Sequence, residues 1–110
     1  MTTPEERKAA DEATFREANE RIREAERELH PPLDRVPYLC ECEDTCCREP
    51  IRLERLVYER VRSDPTWFVI VPGHPTSGEI VQACDGYVIS RKTDVAAEVA
   101  VELDPREEDR

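Results

Sequence analysis

The sequence predicts an α+β fold, in which a long N-terminal helix precedes a cysteine loop, a short helix and a small antiparallel β-sheet. Three observations support it: apolar residues recur at helical spacing near the N-terminus, cysteines cluster between residues 40 and 47, and β-rich runs begin at Trp67. The chain has 110 residues, of which 38% are charged, so its apolar core is small. We therefore expect one compact domain that needs stabilisation beyond its core.

The N-terminal segment predicts a helix that spans residues 1–30. Pro4 and the acidic residues after it are typical of a helix start. Apolar residues then follow at spacings of three and four: Phe15, Ala18, Ile22, Ala25 and Leu29. His30-Pro31-Pro32 is expected to end the helix. The apolar seam allows two interpretations, because it fits a helix packed on its own domain and equally one that binds a protein partner or a second copy of the chain.

Residues 38–103 predict a small α+β domain. A short strand leads into a helix over Leu53 to Arg62, and Ser63-Asp64-Pro65 ends that helix. Three strands are expected after it, at residues 67–71, 79–84 and 87–92, and Asp85-Gly86 predicts a tight hairpin. Residues 95–103 fit either a helix or a strand. Residues 104–110 are mostly acidic and predict a disordered tail.

Charge and composition exclude several classes of protein. The net charge is −10, with acidic residues concentrated at both ends and around the cysteines, which argues against a nucleic-acid partner. No apolar run approaches the roughly 20 residues that cross a bilayer. The N-terminus lacks the apolar region of a signal peptide, so we expect a cytoplasmic location. In a reducing compartment, clustered cysteines are more often metal ligands or redox thiols than disulfides.

The chemical signal of the sequence is Cys40-x-Cys42 followed by Cys46-Cys47. Cysteines at this spacing can direct their sulfurs to one point on a short loop, and zinc takes four such ligands in a tetrahedron. Adjacent cysteines point in different directions, so only one of Cys46 and Cys47 is expected to join Cys40 and Cys42.

The fourth ligand must come from elsewhere in the chain. The candidates are His74, His30, Cys84 and the second cysteine of the adjacent pair. His74 is preferred because Val71-Pro-Gly-His-Pro predicts a tight turn that presents its imidazole. Cys84 lies within a predicted strand and is expected to be a buried apolar residue, and His30 is expected to be an exposed helix cap.

Several segments together resemble a family of short bacterial proteins, mainly actinobacterial, for which no activity is established. The resemblance covers most of the chain, through these segments: Phe15 to Ile22, Cys40 to Cys42, Cys47, Tyr58 to Pro65, Pro72 to His74 and Gly86 to Ile89. It implies that Cys47 is the third cysteine ligand and that Cys46 is additional. His30 and Cys84 have no counterpart in the family pattern, which weakens both as ligands.

These observations lead to a functional hypothesis. Cys40, Cys42, Cys47 and His74 are expected to hold one structural zinc ion in a small protein-interaction or regulatory adaptor, whose partner binds through the N-terminal helix. The alternative is a thiol-based redox switch, in which oxidation releases the metal. An enzyme is not expected, because no glycine-rich phosphate loop, G-x-S-x-G elbow or H-E-x-x-H helix is present.

Overall fold

The computed structural model describes residues 3–29, 34–44 and 46–106, and it confirms the predicted α+β class. Its elements in chain order are α1 (Pro4–Glu26), β1 (Val36–Leu39), β2 (Pro50–Leu53), α2 (Arg55–Arg62), β3 (Trp67–Ile70), β4 (Glu79–Cys84), β5 (Tyr87–Arg91) and α3 (Asp94–Glu102). The described strands form two antiparallel sheets, a β1–β2 pair and a three-stranded sheet in the order β3-β5-β4.

The first helix begins where the sequence predicts. The Thr3 hydroxyl accepts a hydrogen bond from the Glu6 amide at 3.1 Å, and the Glu6 carboxylate accepts one from the Thr3 amide, which makes a capping box. Helix α1 ends at Glu26, earlier than expected, and turn residues follow it. His30, the expected end, lies outside the described residues. No helix in the described ranges is long and apolar enough to cross a membrane.

Helix α1 packs on its own chain, mainly against α3 and β1, and the predicted apolar seam forms only part of its inner face, where Ile22 packs against the core. Phe15 is buried, whereas Ala25 is exposed and Leu29 is 44% exposed. The buried positions are instead largely polar: Ala9, Glu12, Ala13, Phe15, Arg16, Asn19, Glu20 and Glu26. The seam prediction is confirmed at Phe15 and Ile22 and wrong at Ala25 and Leu29, because charged side chains that find partners inside the fold occupy much of the buried side.

The β1–β2 pair was only half predicted. Strand β2 corresponds to the expected short strand before α2, but β1 begins at Val36, ahead of the predicted domain start at residue 38, and no strand was predicted there. Pro37 lies within β1 and is paired with Arg52 of β2. Proline donates no backbone hydrogen bond, so it obscures a strand in the sequence, although the edge of a sheet tolerates it.

The three-stranded sheet follows the prediction closely. Strands β4 and β5 are joined by Asp85-Gly86, with Gly86 at a φ of 85°, a conformation that glycine adopts without steric cost. Strand β5 is central and β4 is an edge strand that exposes Ile80 and Val81. Strand β3 supplies Phe68, Val69 and Ile70 to the interior, each with 0% exposure.

The main apolar cluster lies between the β1–β2 pair, α2 and β3. Tyr38 of β1 stacks on Tyr58 of α2, with ring centroids 4.0 Å apart and planes 10° from parallel. The cluster also contains three cysteines of the loop between β1 and β2. Its buried members are Val36, Tyr38, Cys40, Cys42, Cys47, Ile51, Leu53, Tyr58, Val69 and Ile70. The cysteine loop is therefore part of the core.

The chain beyond α3 corrects a further expectation. Residues 95–103, left open between helix and strand, are largely helical. Asp104 is buried, and the Arg106 guanidinium pairs with Glu20 of α1 and, at 2.6 Å, with Glu59 of α2. The expected disordered tail therefore does not begin at residue 104, because the Arg106 side chain is paired with residues of α1 and α2. Residues 107–110 lie outside the described residues.

Candidate metal centre

The cysteine loop connects the two strands of the β1–β2 pair. Cys40 directly follows β1, and its amide donates a hydrogen bond to the Glu49 carbonyl at 3.0 Å, which extends the strand pairing by one step. The Cys47 amide donates to the Asp44 carbonyl at 3.0 Å and closes a turn. The strand pairing at the base and this turn together bring Cys40 and Cys47 back towards each other.

Strand β3 fixes the loop from the other side. The Glu41 amide donates to the Val69 carbonyl at 2.8 Å, and the Glu43 amide donates to the Pro75 carbonyl at 2.9 Å. The Val71 amide points at the Cys40 sulfur, 3.2 Å away. The loop and the segment after β3 are thus linked by backbone hydrogen bonds on both sides of Cys42.

The predicted turn carries His74 to the cysteines. The His74 amide donates to the Val71 carbonyl at 3.1 Å, and Gly73 between them has a φ of 87°. Proline at the second position and left-handed glycine at the third are the residues that a type II turn requires. The turn therefore delivers the imidazole from the end of β3.

The four predicted ligands meet at one point. The ligand atoms of Cys40, Cys42, Cys47 and His74 all lie within 4.8 Å of one another. Nδ1 of His74 is 3.5 Å from the Cys40 sulfur and 3.6 Å from the Cys47 sulfur. The three cysteines are 0 to 8% exposed, and the His74 side chain is 28% exposed. The cluster is a donor set of three sulfurs and one nitrogen that can accommodate a metal ion.

Burial sets the electrostatics of these thiols. Loss of solvent raises the pKa of Cys40 far above its ordinary value, and the neighbouring thiols Cys42 and Cys47 add to the effect. Burial also raises the pKa of Cys42. Without a metal, burial therefore favours the protonated form of both sulfurs. A bound cation reverses this, since a coordinating thiol is deprotonated by the metal charge.

The other candidate ligands lie outside the cluster. Cys46 is exposed, and its amide donates to the Asp44 carboxylate at 2.9 Å. Cys84 is in β4, beside the hairpin turn, where it is partly exposed rather than buried as predicted. An edge strand leaves that position accessible. His30 lies outside the described residues.

Sequence reasoning missed the role of Glu41. Glu41 has 0% exposure, and its side chain points inward. Its carboxylate accepts hydrogen bonds from the Val69 amide at 2.9 Å and from the Asn19 side chain at 2.8 Å. Asn19 also donates to the Leu39 carbonyl at 2.8 Å and accepts from the Leu39 amide at 2.6 Å. Glu41 and Asn19 thereby connect the cysteine loop to α1.

Glu49 was also missed. Its carboxylate lies 3.0 Å from Nε2 of His74, on the side of the ring away from the cysteine sulfurs. The signal that would have found it is positional, because a strand that pairs with Cys40 must bring residue 49 close to the cluster.

Comparisons of the chain with family models, curated proteins and solved structures found no match.

Proposed function

We propose that Cys40, Cys42, Cys47 and His74 bind one zinc ion, and that the centre is structural. The observation that carries the proposal is the spacing of the ligand atoms. Bond lengths of about 2.3 Å for Zn–S and 2.0–2.1 Å for Zn–N place tetrahedral nitrogen and sulfur ligands about 3.6 Å apart. The observed separations from Nδ1 are 3.5 and 3.6 Å. Two of the ligand pairs thus already have the required separation.

The donor set favours zinc over other metals. Thiolate and imidazole ligands in a compact four-coordinate arrangement suit zinc, whereas magnesium and calcium take oxygen ligands. Iron–sulfur clusters are generally held by four thiolates, and this cluster offers three sulfurs and a nitrogen. Zinc is therefore the ion that we expect.

The role inferred for the metal is to stabilise the fold. Four protein ligands complete a zinc tetrahedron and leave no position for a substrate, so the proposal includes no catalysis. The cysteines belong to the same buried cluster as Tyr38, Tyr58 and Ile70. Metal bound at this point would hold the β1–β2 loop against the end of β3, and its binding free energy would contribute to folding.

The redox alternative receives less support. A redox switch needs thiols that an oxidant can reach, whereas the sulfurs of Cys40, Cys42 and Cys47 belong to residues that are at most 8% exposed. Cys46 is the exposed thiol of the loop, but it is not one of the four clustered ligands.

For the wider role, we propose a small adaptor whose zinc centre holds a protein-binding surface in shape. The inner face of α1 is occupied by its own chain, so a partner or a second copy would contact the outer face of this helix. That face carries exposed charged residues, among them Glu17 and Arg21, which pair with each other at 3.0 Å.

Native mass spectrometry of the reduced, freshly purified chain tests the zinc proposal. We expect one zinc ion per chain, and we expect its loss in both Cys42→Ser and His74→Ala. Cys46→Ser is the matched control, because it removes a thiol of the same loop that lies outside the ligand set, and it should retain the metal. Wild-type protein without zinc, or zinc lost equally from the Cys46→Ser control, would overturn the proposal.

A further inference from the structure

We propose that Glu49 is a positioning residue, which makes Nδ1 of His74 the metal ligand and restrains the exchange of the metal. The inference rests on the proposed zinc centre and adds to it the control of its exposed ligand. Histidine can bind metals through either ring nitrogen, and the hydrogen bond made by the other nitrogen decides which one is used.

The geometry around the ring is asymmetric. Nε2 of His74 lies 3.0 Å from the Glu49 carboxylate, whereas Nδ1 faces the sulfurs of Cys40 and Cys47 at 3.5 and 3.6 Å. A neutral imidazole carries one N–H, and a carboxylate can only accept. The proton therefore lies on Nε2, and the lone pair of Nδ1 is directed into the cluster.

A backbone hydrogen bond pairs Glu49 with Cys40, one of the proposed metal ligands. The Glu49 carbonyl accepts the Cys40 amide at 3.0 Å, so the residue that orients His74 is hydrogen-bonded to a residue that supplies a thiolate. The next residue, Pro50, begins β2. The carboxylate is thus carried at the end of a strand and not on a free loop.

The His74 side is also the accessible side of the centre. The His74 and Glu49 side chains are 28% and 54% exposed, whereas Cys42 has 0% exposure. A metal ion would enter and leave past the imidazole, because the three sulfurs are covered. Weakening the hold of Glu49 on the ring should therefore speed the release of zinc as well as lower its affinity.

The test compares Glu49→Ala and Glu49→Gln with wild type and with Glu79→Ala. Glu79 is a suitable control because it is also a carboxylate in a surface ion pair, with 59% exposure. Glu79 and its partner Arg91 both lie in the three-stranded sheet, not in the β1–β2 pair that carries Glu49. Zinc affinity and release are followed by competition with a chromophoric chelator. Long-range ¹H–¹⁵N spectra of the zinc-loaded protein report which ring nitrogen carries the proton.

We expect Glu49→Ala to bind zinc at least 10-fold more weakly, since changes to such outer partners typically cost about 10–100-fold in affinity. Release should accelerate, and the spectra should lose the pattern of a single Nε2–H tautomer. Glu49→Gln keeps an acceptor oxygen without its charge and should fall between Glu49→Ala and wild type. If Glu49→Ala does not fold, Glu49→Gln provides the test in its place.

Three results would overturn the inference. Wild-type affinity with an unchanged imidazole spectrum in both Glu49 variants would show that Glu49 does not position His74, while the zinc centre itself would stand. A wild-type chain that binds no zinc would instead remove the centre and the role of Glu49 with it. An equal loss of affinity in Glu79→Ala would mean that surface charge, not contact with His74, is responsible.

Discussion

The cysteine–histidine cluster and the inner face of α1 are both buried and both polar, yet they differ in how their polar atoms are satisfied. The cluster gathers four ligand atoms within 4.8 Å, with two sulfurs facing one ring nitrogen. The α1 face instead distributes its charges among separate partners, such as Lys92 for Glu12 and Arg106 for Glu20. Under the zinc proposal, one region depends on a single added ion, whereas the other depends on many internal pairs.

The contrast implies different failure modes. Removal of the proposed ion would break the bonds of all four ligands of the cluster at once, because each ligand is bound to the same ion. Loss of a single pair on α1 exposes one uncompensated group while the rest persist, and its cost depends on how buried that group is.

The largest expected effect is that of metal removal. A chelator should lower the stability of wild-type protein by about 4 kcal/mol relative to protein in free zinc at about 1,000 times its Kd. Thermal unfolding followed by circular dichroism measures this. Cys42→Ser should show no response to the chelator. A wild-type Tm that does not change with the chelator would contradict the proposal that an ion stabilises the cysteine–histidine cluster.

Arg16→Ala should be the most damaging substitution on α1. The Arg16 guanidinium donates to the Pro65 carbonyl at 2.5 Å and to the Ala100 carbonyl at 2.6 Å, and it lies 4.6 Å from the centre of the Phe68 ring. Its removal leaves buried carbonyls without donors and opens a cavity, so we expect a loss of about 3 kcal/mol in urea unfolding. Arg21→Ala, at an exposed pair, should cost under about 0.5 kcal/mol. Similar losses for both variants would contradict this.

Asn19→Ala tests the link between the two regions. Asn19 bonds to both backbone groups of Leu39 and to the Glu41 carboxylate, so we expect a loss of about 2 kcal/mol in zinc-saturated protein. A double-mutant cycle with Glu41→Gln should give a coupling energy of about 0.5–3 kcal/mol, as residues in one hydrogen-bonded network do. Additive effects would show that α1 and the cysteine loop are independent.

Glu12 provides the most selective test, through pH. Burial raises the pKa of Glu12 to about 7 despite the opposing charge of Lys92, and one of its oxygens has no hydrogen-bond partner among the described residues. A carboxyl with a raised folded-state pKa binds protons more tightly when folded, so its contribution to stability falls as pH rises from about 4.5 to 7.

The measurement is the difference in unfolding free energy between wild type and Glu12→Gln across that range, in saturating zinc. Glutamine does not titrate, so the stability of wild type should decline relative to the variant as pH rises, by about 1.4 kcal/mol for each pKa unit of displacement. The comparison with Glu12→Gln also cancels the opposite pH dependence of the metal ligands. Parallel curves would mean that folding does not change the pKa of Glu12.

The same contrast explains what could be predicted from sequence. The start of α1, the Asp85-Gly86 turn and the cysteine spacing are local features, fixed by a few adjacent residues, and the structure confirms them. His74 was also found through its local turn. The contact between His74 and the cysteines is long-range. It could still be predicted, because a short chain offers few other cysteines and histidines as ligands.

The α1 face could not be predicted, for a physical reason. A charged side chain is ordinarily exposed, and Arg16 or Glu12 becomes buried only when a distant group such as Ala100 or Lys92 compensates it. Such pairing is visible only in the fold. The same holds for Glu41 and Glu49, which look alike in the sequence, while one points to α1 and the other to His74.

The position of Trp67 has a practical consequence for spectroscopy. It is the single tryptophan of the chain and begins β3, two residues before Val69, whose amide and carbonyl both bond to Glu41. Zinc itself gives no optical signal, because its d shell is full. The indole is therefore an intrinsic fluorophore placed on the strand that borders the cysteine loop, and its emission allows the centre to be followed without a label.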